Sequence, residues 1–205
     1  LVGYEDLHVP CFEITESIEW PLRMARLGRI KIVQRKTLSL KNGITKKENE
    51  AAWALIRASV KADRTVTSSE TSLTKAAYNE GFQMMESLDD YNVDLVLVNA
   101  KRAGDVRVWG SNDLDPTTMR EIWRNAGVGN IWGGDIIKCN DVGDNEIYMI
   151  DTSRFGVMPV KQKFVTYDDP TAIRKFRQAV LGYEEIGMAV ADPLAVVKIV
   201  LSSGS

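Results

Sequence analysis

KFRQAVLGYEEIGMAVADPLAVVKIVL, residues 175–201, decides how the rest of the chain is read. From Phe176 to Val190 the apolar residues Val180, Leu181, Ile186, Met188 and Val190 alternate or run together; Ala191-Asp192-Pro193-Leu194 interrupts, and AVVKIVL (195–201) resumes. That pattern predicts two strands joined by a turn. Asp before Pro is biased out of the helical basin and Pro presets the turn dihedral, so an antiparallel hairpin in an α+β domain follows.

Working outward, residues 2–14 (VGYEDLHVPCFEI) spread apolar residues among polar ones around Pro10, which predicts an exposed, extended arm. Pro21 is placed to open a helix, and Ile30, Val33, Thr37, Leu40 and Ile44 recur at helical spacing. Ile30/Ile32 and Leu38/Leu40 also alternate at period two, so a strand remains an alternative there. Asn42-Gly43 reads as a helix stop, and Thr45 with Glu48 reads as a capping box opening a second helix whose stripe is Trp53, Ile56 and Val60. Lys46, Lys47 and Glu48 read as a solvated face. DRTVTSS (63–69) is the candidate boundary.

Beyond it, Thr67 and Glu70 form another capping-box pattern before a helix lined by Leu73, Ala77, Met84 and Leu88, in which Gly81 marks a close contact. VDLVLV (93–98) is a buried strand, and NAKRAGDVRVW (99–109) alternates charge with Val106 and Val108. Asp115-Pro116 opens a further helix that Gly127 ends. GDIIKCN (134–140) and EIYMID (146–151) are short strands joined by a turn at DVGDN (141–145).

With 205 residues, 44% of them hydrophobic, the chain can bury one large core or two small ones. Lys+Arg 26 against Asp+Glu 28 gives a net charge of -2, so its overall charge does not mark a protein that coats nucleic acid. Cys11 and Cys139 have no zinc-ligand spacing and read as reduced, buried thiols. No apolar run approaches the roughly 18 residues that span a bilayer, residues 1–10 lack the features of a signal peptide, and Leu1 in place of Met suggests that residues precede it.

The ending GYEEIGMAVADPLAVVKI (182–199), preceded by FGVMPVKQKF (155–164), resembles the closing strands of tailed-bacteriophage major capsid proteins, whose shell fold is shared with encapsulins. RLGRIKIVQRKTLSL (26–40) occupies the place of that family's spine helix, which selects helix over strand there; KKENEAAWALIRA (46–58) resembles the helix after it, and VPCFEI (9–14) one side of its projecting loop. The resemblance implies an α+β fold with three parts: an extended arm over 1–20, a discontinuous peripheral lobe (spine helix plus antiparallel sheet) from 21–69 and 152–205, and an axial lobe (sheet flanked by helices) over 70–151. It implies a coat protein whose copies form pentamers and hexamers of an icosahedral shell, assembled in the host cytoplasm and residing in the virion. Its partners would be other copies of itself, double-stranded DNA contacted non-specifically on the inner face, and scaffolding or decoration proteins; no membrane and no cofactor are implied. Val9, Phe12, Ile14, Arg35, Lys36, Glu184 and Glu185 are the expected subunit contacts.

An encapsulin shell enclosing a cargo enzyme is the related alternative, and a small α+β enzyme the distant one. The commonest catalytic sets are missing from the sequence. His8 is the one histidine, and there is no HExxH, GxSxG or GxxxxGK[ST]. Gly127-Val128-Gly129 has Trp132 where a dinucleotide loop needs its third glycine, DVGDNE has Gly143 where a calcium ligand is wanted, and the adjacent pairs Glu184-Glu185 and Asp168-Asp169 point to opposite faces of a strand. Some shells of the resembled fold are welded by a lysine–asparagine isopeptide bond. Residues 1–20 hold no lysine and no asparagine follows Asn145, so a non-covalent shell is expected.

Overall fold

A computed structural model describes residues 8–23, 30–109 and 129–203, with side chains of the long helix described from Gln34 onward. Residues 1–7 of the expected arm, 24–29 of the expected spine helix, and the helix expected between Asp115 and Gly127 lie outside the described residues. The chain divides into two compact units, Leu1–Leu55 with Val157–Ala189, and Ile56–Gly156 with Val190–Ser205.

The first unit is a three-stranded antiparallel sheet and a long helix. Its strand order is β1 (Cys11–Pro21), β9 (Arg177–Gly187), β8 (Val160–Asp168), and the helix is α1 (Ile30–Ser59), whose residues up to Leu55 belong here. β1 pairs with β9 along its whole length, from Cys11 opposite Gly187 to Pro21 opposite Arg177. The expected free arm is therefore, from Cys11 on, an edge strand of its own unit. Strand pleating puts Phe12, Ile14, Glu16, Ile18 and Trp20 on one face with their partners Ile186, Glu184, Gly182, Val180 and Gln178. That face meets α1: Ile14, Ile44 and Ile186 form a buried cluster, joined by Phe164 and Met188. Leu40 is also fully buried.

α1 runs unbroken through Asn42-Gly43, contrary to the expected stop and to the capping box at Thr45. A glycine inside a helix costs about 1 kcal/mol, which burial of Leu40 and Ile44 on either side of it exceeds. Lys47 is not merely solvated. Its Nζ donates to the Thr15 carbonyl at 2.8 Å and to Glu16 Oε2 at 2.5 Å, supplying a donor to strand β1 at the sheet's edge.

The second unit is a six-stranded sheet in the order β2 (Thr65–Ser68), β11 (Val196–Leu201), β6 (Glu146–Ile150), β3 (Leu95–Val98), β5 (Gly134–Lys138), β4 (Asn130–Ile131). Two further strands, β7 (Gly156–Val157) and β10 (Ala189–Val190), pair with each other. Helices α2 (Lys75–Glu86) and α3 (Ala100–Val108) belong to this unit, as does the short α4 (Thr152–Phe155). Its core gathers Val96, Val98, Ile147, Met149, Val197 and Ile199 with Tyr78, Phe82 and Met85 of α2. Gly81 does mark a close contact: a Cβ there would stand 2.7 Å from Met149 Sδ and 2.8 Å from Ile199 Cδ1.

Five expectations change here. The closing hairpin does not exist, because β9 joins the three-stranded sheet and β11 the six-stranded one. β9 alternates and suits a sheet with one covered face, whereas VVKIVL is nearly continuous apolar and suits a central strand between β2 and β6. The turn at 191–194 is real, with Asp192 Oδ1 accepting from the Leu194 amide at 2.8 Å, but it redirects the chain instead of folding it back. Residues 190–205, and with them 56–69 and 152–156, thus cluster with the second unit and not with the first. α2 is capped by Thr74, which accepts from the Ala77 amide, and not by Thr67. Residues 100–108 are helical, capped by Asn99, and the two valines that alternate in sequence go separate ways: Val106 is buried and Val108 is 83% exposed. Finally β5 and β6 are not a hairpin, since β3 lies between them.

Candidate assembly surface

Of the seven residues expected at subunit contacts, Val9, Phe12, Ile14, Glu184 and Glu185 lie at one end of the β1–β9 pairing, where Phe12 is opposite Ile186 and Ile14 opposite Glu184. Ile14 is 5% exposed inside its own cluster and is a core residue, so it is withdrawn as a contact. Val9 is half-buried, close to Gly187, where a Cβ would stand 2.8 Å from Val9 Cγ1. Phe12 is 39% exposed, and Arg35 and Lys36 are exposed on α1. Glu184 is half-buried on the α1-facing side, where burial first and the Glu48 carboxylate second raise its pKa. Glu185 points the other way, as neighbours in a strand must. Its Oε1 accepts from Lys161 Nζ at 2.6 Å and its Oε2 from the Tyr183 hydroxyl at 3.2 Å. The Lys161 hydrogen bond holds the Glu185 carboxyl below its ordinary pKa, and the same bond holds the Lys161 ammonium above its own. Glu185 is therefore committed within its own chain.

The face of the sheet turned away from α1 is built by pairing: Ser17, Leu181 and Tyr167 stand in one row, and Thr15, Tyr183 and Val165 in the next. Tyr167 is 55% exposed and Leu181 36%. Charge rims this face: Arg177 Nη1 donates to Glu19 Oε2 at 2.9 Å, and the Tyr183 hydroxyl, whose pKa burial raises, reaches Glu13 Oε1 at 3.4 Å.

At one end of the sheet the β8–β9 connection carries the feature that sequence reasoning missed. Ala172–Lys175 make a single 3-10 turn, and Phe176 closes it in the left-handed region at φ 53°. Glycine is the usual residue there; a phenylalanine pays local strain. Its side chain is 80% exposed, and Ile173 is 61% exposed beside it. The Phe176 carbonyl accepts from the Leu22 amide at 2.9 Å, and Pro21, Leu22, Arg23 and Phe176 line a surface cleft of about 280 Å³. With Arg174, Lys175 and Arg177 around it, this tip is apolar at its summit and basic at its sides. The signal is in the sequence as RKFR (174–177), an aromatic flanked by cations, whereas Phe176 reads there as the start of the first strand of the expected hairpin.

Among the described residues no group of three His, Cys, Asp or Glu side chains could hold a metal. No helix among them is long and apolar enough to cross a membrane. Both cysteines are free; Cys11 is exposed and Cys139 half-buried, so neither is the buried thiol expected.

No curated protein matches the chain. Among solved structures, one from Mycobacterium phage Adephagia is similar over 96% of this chain and 74% of its own, with 13% identity and a TM-score of 0.72. The acid-stable capsid of Helicobacter pylori bacteriophage KHP30 is similar over 95% of this chain and 76% of its own, with 11% identity and a TM-score of 0.70. The encapsulin complex of Synechococcus elongatus is similar over 93% of this chain and 73% of its own, with 12% identity and a TM-score of 0.62. The fold is thus the mixed helix-and-sheet fold shared by phage capsids and encapsulins. A family model described as phage capsid protein matches residues 24–199, most of the sequence, and the chain belongs to that family.

Proposed function

We propose that many copies of this chain form pentamers and hexamers of an icosahedral shell around double-stranded phage DNA, as its major capsid protein. The family match over residues 24–199 carries the reading. In it the first unit is the peripheral lobe and the second the axial lobe. The shell is structural and not enzymatic, it is built in the host cytoplasm, its inner face meets DNA without sequence preference, and scaffolding or decoration proteins are additional partners. The contacts between copies centre on the Ile173–Phe176 tip, where two exposed apolar side chains lie on one short turn, and on exposed Phe12, Arg35 and Lys36. Electron microscopy of the purified protein tests this directly. Closed particles containing DNA are expected; a monodisperse monomer with enzymatic turnover overturns the reading, and particles enclosing a cargo protein instead of DNA replace it with the encapsulin one. Phe176→Asp should leave the circular-dichroism spectrum and melting midpoint unchanged while lowering particle yield by at least about 30-fold, the factor that matches a 2 kcal/mol contact hot spot.

The shell is held without covalent links. Val157–Ala189, the later segment of the first unit, contains no asparagine to act as an acceptor amide. Apolar contacts and repeated ion pairs dominate, each exposed pair contributing about 0 to 1 kcal/mol. Particles boiled in reducing detergent should run on a denaturing gel as one monomer band; a ladder of multimers shows a weld.

A further inference from the structure

Charge is segregated along this chain although its net charge is only -2. Of the 26 Lys and Arg, nine fall between Trp20 and Lys47, where not one of the 28 Asp and Glu falls. Most of that stretch is the first part of α1. Arg35, Leu38, Asn42, Thr45, Lys46 and Asn49 recur at i, i+3, i+7, i+10, i+11 and i+14, so they form one stripe on the side of the helix opposite buried Leu40 and Ile44. All six are exposed, and Lys41, also exposed, borders the stripe. Its cations are not neutralised. Among the described residues Arg35 and Lys41 have no hydrogen bond or ion pair, Lys41 keeping only a longer-range attraction to half-buried Glu184. Lys46 meets Glu50 at 3.7 Å with both side chains largely in water, a pairing that contributes little. The opposite face of the same unit differs: there Lys161 is held by Glu185 at 2.6 Å and Arg177 by Glu19 at 2.9 Å.

We propose that this face of α1 is the surface that meets packaged double-stranded DNA, with Arg35, Lys41 and Lys46 on phosphates and Asn42, Thr45 and Asn49 as neutral donors beside them. Phosphate contacts draw on this mixture of cations and uncharged polar side chains, and they carry no sequence preference. From Arg35 to Asn49 the stripe is about 21 Å long at 1.5 Å per residue, and a duplex presents about 12 phosphates over that length. An acidic surface on a second copy is the rival occupant. The acids of the first unit's sheet are poor candidates for it, because Glu16, Glu19 and Glu185 are already bound to Lys47, Arg177 and Lys161. The inference rests on the shell reading above and adds an orientation to it: the α1 side of the first unit faces inward. Arg35, at the head of the stripe, is among the contacts between copies named above, so the stripe starts where copies meet.

The test titrates the unassembled full chain with a mixed-sequence 20-bp duplex, so binding is read whether or not the chain forms shells. Nitrogen-15 amide spectra at low salt should change within 35–49, and a second duplex of unrelated sequence should act alike. With three phosphates neutralised, log K should fall against log salt with a slope of about -2.7, and Lys41→Gln with Lys46→Gln should reduce it to about -0.9. Both lysines are exposed, so this variant should keep the wild-type melting midpoint and still form particles. Spectral changes outside 35–49, or a slope that the variant leaves unaltered, overturn the proposal. So does polyglutamate if it gives the same spectral changes at equal affinity, which assigns the face to an acidic protein surface. Duplex binding by a chain that forms no shells would sink the assembly reading and leave the stripe, whereas DNA-filled shells with an unaltered slope would sink the stripe alone.

Discussion

Arg102→Ala is expected to cost the second unit about 3–5 kcal/mol, the usual range for removing one partner of a buried ion pair. Arg102 is 1% exposed in α3, and four of its guanidinium contacts are short. Nε donates to the Asp144 carbonyl at 2.5 Å, Nη1 to the Thr71 carbonyl at 2.7 Å and to Asp105 Oδ2 at 2.8 Å, and Nη2 to Asn145 Oδ1 at 2.7 Å. Asp105 Oδ2 in turn accepts from the Leu73 amide at 2.8 Å, so one side chain ties the approach to α2, the helix α3 and the turn before β6. Alanine leaves two carbonyls, an amide oxygen and a carboxylate without this donor. Arg102→Lys should recover only part of the loss, because an ammonium cannot reach acceptors spread around a planar fork. Thermal melting reads the effect as a fall of about 6–20 °C for a chain of this size. A loss below about 1 kcal/mol would show that the network contributes nothing beyond solvated contacts.

Gly182→Leu is expected to destabilise the first unit by about 3 kcal/mol, at the upper end of the range for overpacking. Gly182 has no positive φ, so its backbone does not demand glycine. Space does: a Cβ would stand 3.0 Å from Ile44 Cδ1, Leu40 Cγ and Phe164 Cε2 alike. Glycine in a strand interior ordinarily costs about 0.5–1 kcal/mol relative to alanine. The sign of Gly182→Ala therefore decides the matter: destabilisation by about 1 kcal/mol indicates that α1 rests against the bare backbone of β9, and stabilisation indicates that the helix can give way. Urea denaturation of both variants measures the two effects, with leucine the larger.

Sequence alone was enough to find most elements and the family. VDLVLV reads as a buried strand because runs of branched apolar residues suit sheets covered on both faces, AVVKIVL reads as a strand after the turn at 191–194, and Leu40 and Ile44 read as a helix face because they recur at its period. Gly81 was legible as a close contact for the same local reason. Periodicity reports which side of an element is buried; it does not say against what. Only the tertiary structure decided that β9 and β11 belong to different sheets, that β1 is a paired edge strand, that α1 continues through Gly43, and that Val106 is core while Val108 is exposed. The same holds for side chains whose roles depend on distant partners. In the sequence Arg102 is one charge in the alternating segment 99–109. Burial and acceptors as far as 43 positions away along the chain give it its role, and that proximity arises only when the chain has folded.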